Sequence, residues 1–73
     1  MSRDENILKK HSIVIAGHQT SITLENIFWE QLKQLAKERD LSLSLLVAEI
    51  DSQRQANLSS ALRVYVLKNA LKD

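Results

Sequence analysis

Cysteine and proline are absent from this 73-residue chain, glycine occurs once, and the aromatic residues are one Phe, one Trp and one Tyr. Without cysteine there is no disulfide framework and no thiolate metal site. Without proline, and with Gly17 as the sole glycine, the chain has little punctuation, and its elements must be read from periodicity. No apolar run approaches the ~18 residues of a membrane span. The N-terminus carries acids where a secretion signal needs an apolar core, so the expected location is cytoplasmic. Net charge is also small: ten Lys and Arg against nine Asp and Glu leave +1. Duplex DNA binding draws much of its affinity from phosphate neutralisation. Bulk charge therefore gives no support for a nucleic-acid partner, and any basic surface has to come from local clustering.

What is present is a compact set of amphipathic segments. Forty-four per cent of the residues are hydrophobic and 26% charged, a globular composition and not a disordered one. A chain this short buries only about 60% of its unfolded surface, so a second copy is an expected source of extra core. The segment Gln19-Thr20-Ser21-Ile22-Thr23-Leu24-Glu25 alternates in polarity and runs unbroken into a helical pattern. Gln19, Ser21 and Thr23 project to one side of a strand, and Thr20, Ile22 and Leu24 to the other. One half-apolar strand joined to short helices cannot bury its own face, so it has to pair.

Upstream, Ile13, Val14 and Ile15 form a β-branched run suited to a strand. A two-residue turn at Gly17-His18 would suit type II′ geometry. It would pair Ile15 with Thr20, Val14 with Ser21 and Ile13 with Ile22, giving Ile13, Ile15, Thr20, Ile22 and Leu24 one shared face. Alternatively, residues 12–16 peel away at Gly17 and pack elsewhere. Both readings stand open at this point. Residues 1–11, with Arg3, Lys9 and Lys10 against Asp4 and Glu5, read as a mobile arm.

Residues 25–39 carry Phe28, Leu32, Leu35 and Ala36 at helical spacing, flanked by Trp29. Thr23 is placed to cap this helix, with Glu25 and Glu30 early and Lys33, Lys37 and Arg39 late, as the macrodipole favours. Asp40-Leu41 reads as a turn, since Asp tolerates left-handed backbone. Ser42 then caps a second helix whose stripe is Leu43, Leu46, Val47 and Ile50. Leu45 and Ala48 fall off that stripe and imply a second contact surface. Asp51 and Arg54 sit at i,i+3, the spacing of a helix ion pair. After a polar stretch, Asn57 or Ser59 can cap a third helix over residues 58–71, apolar around much of its circumference. Val64 and Val66 admit a strand over Arg63 to Leu67, but Ala61, Leu62, Lys68 and Ala70 favour helix.

The order of these elements over residues 19–54 resembles the ribbon-helix-helix family of DNA-binding repressors. The longer pattern Ser-Ile-x-Ile-Ala-Gly-His-x-Thr-Ser-Ile-x-Leu-Glu, then Phe-Trp, Leu-Ser, Leu-Val-x-Glu-Ile-Asp and Leu-Ser-Ser-Ala-Leu-Arg-Val, is similar to a small bacterial branch with an added C-terminal helix. The resemblance implies a mostly α, α+β fold: a single ribbon-helix-helix domain over residues 12–73 that forms a homodimer with an intermolecular antiparallel β-ribbon, open to an extra N-terminal strand and a third helix. It implies a dimer core of Ile22, Leu24, Phe28, Trp29, Leu32, Leu46, Val47, Ile50, Leu62 and Tyr65. It also implies base reading by Gln19, Ser21 and Thr23, types that can bond adenine and several other bases. Phosphate would be gripped by the free amides of Ser42, Leu43 and Ser44 at the helix start, with Lys9, Lys10 and His18 assisting. A solvated strand face and simple N-capping are the plainer readings of the same residues.

The two expected functions are a dimeric, DNA-binding transcriptional regulator, or a dimeric protein-interaction or adaptor module, antitoxin-like roles included, that does not bind DNA through the ribbon. A hairpin in each chain weighs toward the second. Two hairpins side by side make a four-stranded sheet, whereas the ~12 Å major groove admits a two-stranded ribbon. No catalysis, metal or cofactor is expected. His11 and His18 lack a ligand-like spacing, Ser59-Ser60 lack a partner base in sequence, and Phe28-Trp29 read as core and not as a base-stacking pair.

Overall fold

The computed structural model describes residues 7–71. It contains β1 (Leu8–Ile15), β2 (His18–Glu25), α1 (Asn26–Glu38), α2 (Leu43–Gln53) and α3 (Leu58–Leu71). The two strands form one antiparallel sheet within the chain. Of the two readings of residues 12–16, the hairpin is the one observed. The strand starts at Leu8, so Leu8 to His11, expected in a mobile arm, are paired. The remainder of that arm, apart from Ile7, lies outside the described residues.

The turn differs from expectation. It is formed by Ala16-Gly17, with φ of 52° and 83°, the two positive values that a type I′ loop requires. A Cβ at Gly17 would meet nothing within 4 Å, so backbone angle and not space calls for glycine. Ala16 in left-handed backbone costs roughly 1–2 kcal/mol. Against that cost, the I′ turn matches strand twist and carries pairing from Ile15↔His18 to Leu8↔Glu25. Ile13 therefore faces Thr20, not Ile22. The shift is by two residues, which preserves strand parity. The inward face is still Ile13, Ile15, Thr20, Ile22 and Leu24, now joined by His11.

That face packs on the helices. Ile13, Ile22 and Leu24 are buried with Trp29, Leu32 and Ala36 of α1, Leu46, Val47 and Ile50 of α2, and Leu62 and Val66 of α3. Phe28, Leu35 and Leu43 of the expected stripes are partly buried against this core. The His11 ring stacks on Trp29 at 4.1 Å between centroids and 11° between planes. Its Nε2 donates to the Leu24 carbonyl at 3.3 Å. The one histidine among the inward residues is thus satisfied, and serves to roof the indole.

Helix ends follow local chemistry. Thr23 is within β2 and does not cap α1. The N-cap is Glu25, without a side-chain capping bond, and no acid lies in the first turn. Its carboxylate accepts instead from Arg63 Nε of α3 at 2.8 Å, a long-range partner that outcompetes the local dipole. At the other end Asp40 takes φ 60°. Leu41 N–H then reaches Ala36 O at 2.8 Å and Asp40 N–H reaches Lys37 O at 3.1 Å. These are the two bonds of a Schellman motif, with Asp in the usual glycine position. Ser42 Oγ accepts from Leu45 N at 3.1 Å and caps α2. Asn57 Oδ1 accepts from Ser60 N at 2.9 Å and opens α3. The Asp51–Arg54 ion pair forms at 2.7 Å.

Arg39, just past α1, ties the three helices together. Its guanidinium donates to both carboxylate oxygens of Glu49 at 2.9 and 3.2 Å and to the Tyr65 hydroxyl at 3.3 Å. Among the described residues no buried side-chain polar atom lacks a partner.

Leu62 is fully buried and connects α3 to the shared core. Leu62→Ala is expected to cost about 2–5 kcal/mol, a large share of the stability of so small a domain. Chemical denaturation measures this, and a change below ~0.5 kcal/mol, the usual scale of surface substitutions, would show α3 to be dispensable. Hydrogen bonds from Arg63 and Arg39 hold the Glu25 and Glu49 carboxyls below their ordinary value of 4.5. Groups with depressed folded values stabilise above their unfolded value, and that contribution is lost as pH falls through the folded one. The melting temperature should therefore drop as pH falls below ~4.5, and less steeply in a Glu25→Gln/Glu49→Gln variant. Equal slopes in the two proteins would remove these pairs from the acid response.

Candidate nucleic-acid interface

The outward face of the hairpin is set by the same parity. Cross-strand neighbours there are Lys10 with Thr23, Ser12 with Ser21 and Val14 with Gln19, and all six are exposed. The three expected base readers thus lie in a row on one surface, alternating with inward Ile22 and Leu24. The face holds amide, hydroxyl, ammonium and one β-branched apolar group, a set able to bond base edges and meet a thymine methyl.

Charge is clustered in a way the total conceals. From Ile7 to Leu24 the chain has no Asp or Glu, while Lys9, Lys10, His11 and His18 fall within it. The acid at the strand's end, Glu25, is neutralised by Arg63. Six of the nine acids lie between Glu25 and Asp51, and residues 52–72 form a second acid-free stretch with Arg54, Arg63, Lys68 and Lys72.

The expected phosphate ligands are not all brought together. Lys10 lies on the outward face beside Thr23. Lys9 pairs with Leu24 and has the opposite parity, though it is exposed at the strand end. His18 opens β2 beside the turn and is exposed. Ser42, Leu43 and Ser44 form the start of α2, whose opening bond is made by Ser42 Oγ to Leu45 N. An open hollow there is lined by Lys33, Lys37, Asp40, Ser42 and Leu43, so two lysines of α1 border that helix start. Nothing in the sequence pattern links these lysines to that helix start, because the angle of the α1–α2 turn decides which side of α1 it meets.

Eight of the ten residues expected in a dimer core are buried within the single chain, and Phe28 and Tyr65 are partly buried. The larger apolar side chains that remain exposed on the helices are others: Ile27 on α1, Leu45 on α2, and Val64, Leu67 and Leu71 on α3. Two further residues were not singled out for the sheet. Ser59 Oγ donates to Thr23 O at 2.8 Å, and Arg63 holds Glu25, so the start of α3 lies against the outer edge of β2. No sequence signal spans those 36 and 38 residues. Among the described residues there is no group of three His, Cys, Asp or Glu able to hold a metal, and no helix long and apolar enough to cross a membrane.

Comparison with known proteins agrees with this architecture. No curated protein matches the sequence. The solved structure of an uncharacterized protein from Bordetella pertussis Tohama I superposes with a TM-score of 0.79 at 23% identity over 97% of this chain. This chain spans 62% of that protein's length, so the likeness is one of fold. The family described as ribbon-helix-helix domain matches residues 8–70. With the whole hairpin and all but the last residue of α3 inside that match, the chain belongs to the ribbon-helix-helix domain family.

Proposed function

We propose that the protein is a dimeric DNA-binding regulator that presents the outward face of its hairpin to the major groove. Ribbon-helix-helix domains are typically DNA-binding regulators or antitoxins, on a fold that is not enzymatic. The observation that carries the reading for this chain is the acid-free stretch from Ile7 to Leu24, folded so that Lys10, Ser12, Gln19, Ser21 and Thr23 share one exposed face. Gln19, Ser21 and Thr23 contact bases. Lys9, Lys10, His18 and the amides of Ser42, Leu43 and Ser44 contact phosphate, and no cofactor is required. The dimer forms through apolar surface that one chain leaves open, Leu45 and the α3 stripe being the largest part. The cellular role is that of a repressor in a bacterial cytoplasm.

A second reading has its own observation. β2 finds its strand partner inside the chain, and α3 exposes Val64, Leu67 and Leu71 at i, i+3 and i+7, a helical stripe suited to a protein partner. In that case the fold is an adaptor or antitoxin-like module, and the hairpin face is merely solvated.

Binding to generic duplex DNA at two salt concentrations separates the two. A surface making six to ten phosphate contacts loses roughly 10³–10⁵-fold in affinity between ~50 and 200 mM salt. A steep slope supports DNA binding, and absence of binding at low salt puts the adaptor first. Sedimentation across a dilution series checks the dimer. The expected result is a dimer that dissociates on dilution and is weakened by Leu45→Glu or Leu67→Glu. A folded monomer at every concentration would end the dimer reading.

A further inference from the structure

We infer that β1 of each of two paired chains lies over one wall of the major groove and holds the phosphate backbone through Lys10, Ser12 and the amides of its free edge, while only the two inner strands enter. The inference rests on the DNA-binding reading above and on the two-chain ribbon that the ribbon-helix-helix resemblance implies. What it adds is the place of β1, a strand outside that ribbon.

Three observations carry it. The first is the state of the two sheet edges. In an antiparallel ladder alternate residues turn their N–H and C=O groups away from the neighbouring strand. Thr23 is such a residue, since its carbonyl accepts from Ser59 Oγ at 2.8 Å. By the same parity Gln19 and Ser21 turn theirs outward, and among the described residues no other backbone group bonds them. An antiparallel edge is complementary to its own copy across a two-fold axis, so β2 of a second chain fits there. Opposite Thr23, Ser21 and Gln19 stand Lys10, Ser12 and Val14, whose backbone groups turn to the outer edge of β1. Once the two β2 strands pair, these are the free edges of the sheet.

The second is width. Strands lie ~4.8 Å apart, so in the order β1-β2-β2-β1 each β1 backbone runs ~7 Å from the central axis. The groove is ~12 Å wide, which puts its walls ~6 Å from the same axis. The inner strands fit between the walls. β1 does not, and comes to lie above the phosphates.

The third is chemistry. Lys10 and Ser12 share the exposed face of Thr23 and Ser21, the face turned to the DNA. Ammonium, hydroxyl and backbone N–H groups are all phosphate donors, and no acid occurs between Ile7 and Leu24 to oppose them. A lysine on an edge strand also discourages stray strand pairing, but that role alone predicts no change in the salt dependence of binding.

The test has two arms and uses the full-length protein. The chain has no cysteine, so oxidation of the single variants Gln19→Cys, Thr20→Cys and Ser21→Cys reports on the β2 edge. Residues directly opposite in a ladder have Cα atoms ~4.5–5.5 Å apart, within disulfide reach. The residue on the two-fold axis is expected to give a covalent dimer. The second arm is duplex binding against salt, with thermal melting to verify that each variant is folded. Lys10→Ala is expected to weaken all sequences alike and to lower the salt slope by about two, one phosphate for each copy. Ser12→Asp should weaken binding without changing base preference. Gln19→Ala should change base preference and leave the slope. An unchanged slope in Lys10→Ala, or loss of preference at one base pair, overturns the inference and leaves DNA binding standing. So does the absence of a cross-link from all three cysteine variants. No salt-dependent binding by the unaltered protein overturns both readings.

Discussion

Every backbone amide and carbonyl of β2 needs a partner or water, and the way this strand meets that requirement on its two edges shapes the molecule. One edge is filled by β1 along the whole length of the strand. The other is closed at Thr23 by the Ser59 hydroxyl and flanked at Glu25 by Arg63. The strand thus has one edge fully paired within the chain and the other bonded at one carbonyl. An exposed edge is also a liability for aggregation, and α3 blunts it at the end nearest the core. The third helix is therefore more than added bulk. It buries Leu62 and Val66 in the common core and bonds the outer edge of β2 at Thr23.

The same arrangement explains how a nearly neutral protein acquires a cationic surface. Acids would be tolerated at any exposed strand position on grounds of folding alone. Their confinement to Glu25 and beyond, and to the first five residues, leaves the sheet with Lys9, Lys10 and two histidines. Glu25 sits where this surface ends, and Arg63 offsets its charge. The pair is half-buried, its two side chains 33% and 26% exposed. The pair's consequence for the sheet is electrostatic, since it offsets the one acid within residues 7–25.

Much of this was legible in the sequence because a strand has a period of two. Placing the turn at Gly17-His18 instead of Ala16-Gly17 shifts every cross-strand partner, yet by two residues, so each side chain keeps its face. Gln19, Ser21 and Thr23 were identifiable as a row for the same reason. The stripes of α1 and α2 and the extent of α3 follow from helical periodicity, which a single sequence displays directly. The Schellman turn at Asp40 was readable from the left-handed tolerance of Asp. Ala16 was not readable in this way, because alanine gives no signal for positive φ. It takes that conformation only because the twist of the two strands rewards a type I′ loop.

Long-range choices were the hidden part. Thr23 has the right chemistry and position to cap α1, and local reasoning selects it. The eight residues of β1, paired alongside, hold it in the strand instead. Glu25 has the right sign for the α1 macrodipole, but its carboxylate turns to Arg63, 38 residues away. Ser59 is an acceptable N-cap, yet Asn57 takes that role and frees the Ser59 hydroxyl for the β2 edge. In each case a local preference worth ~1 kcal/mol yields to a contact that exists only in the packed chain. These displaced residues, Thr23, Glu25 and Ser59, are neighbours at one corner of the structure. The departures from local rules therefore share one cause. α3 docks beside the end of β2, and its Ser59 and Arg63 supply partners there that only the packed chain provides.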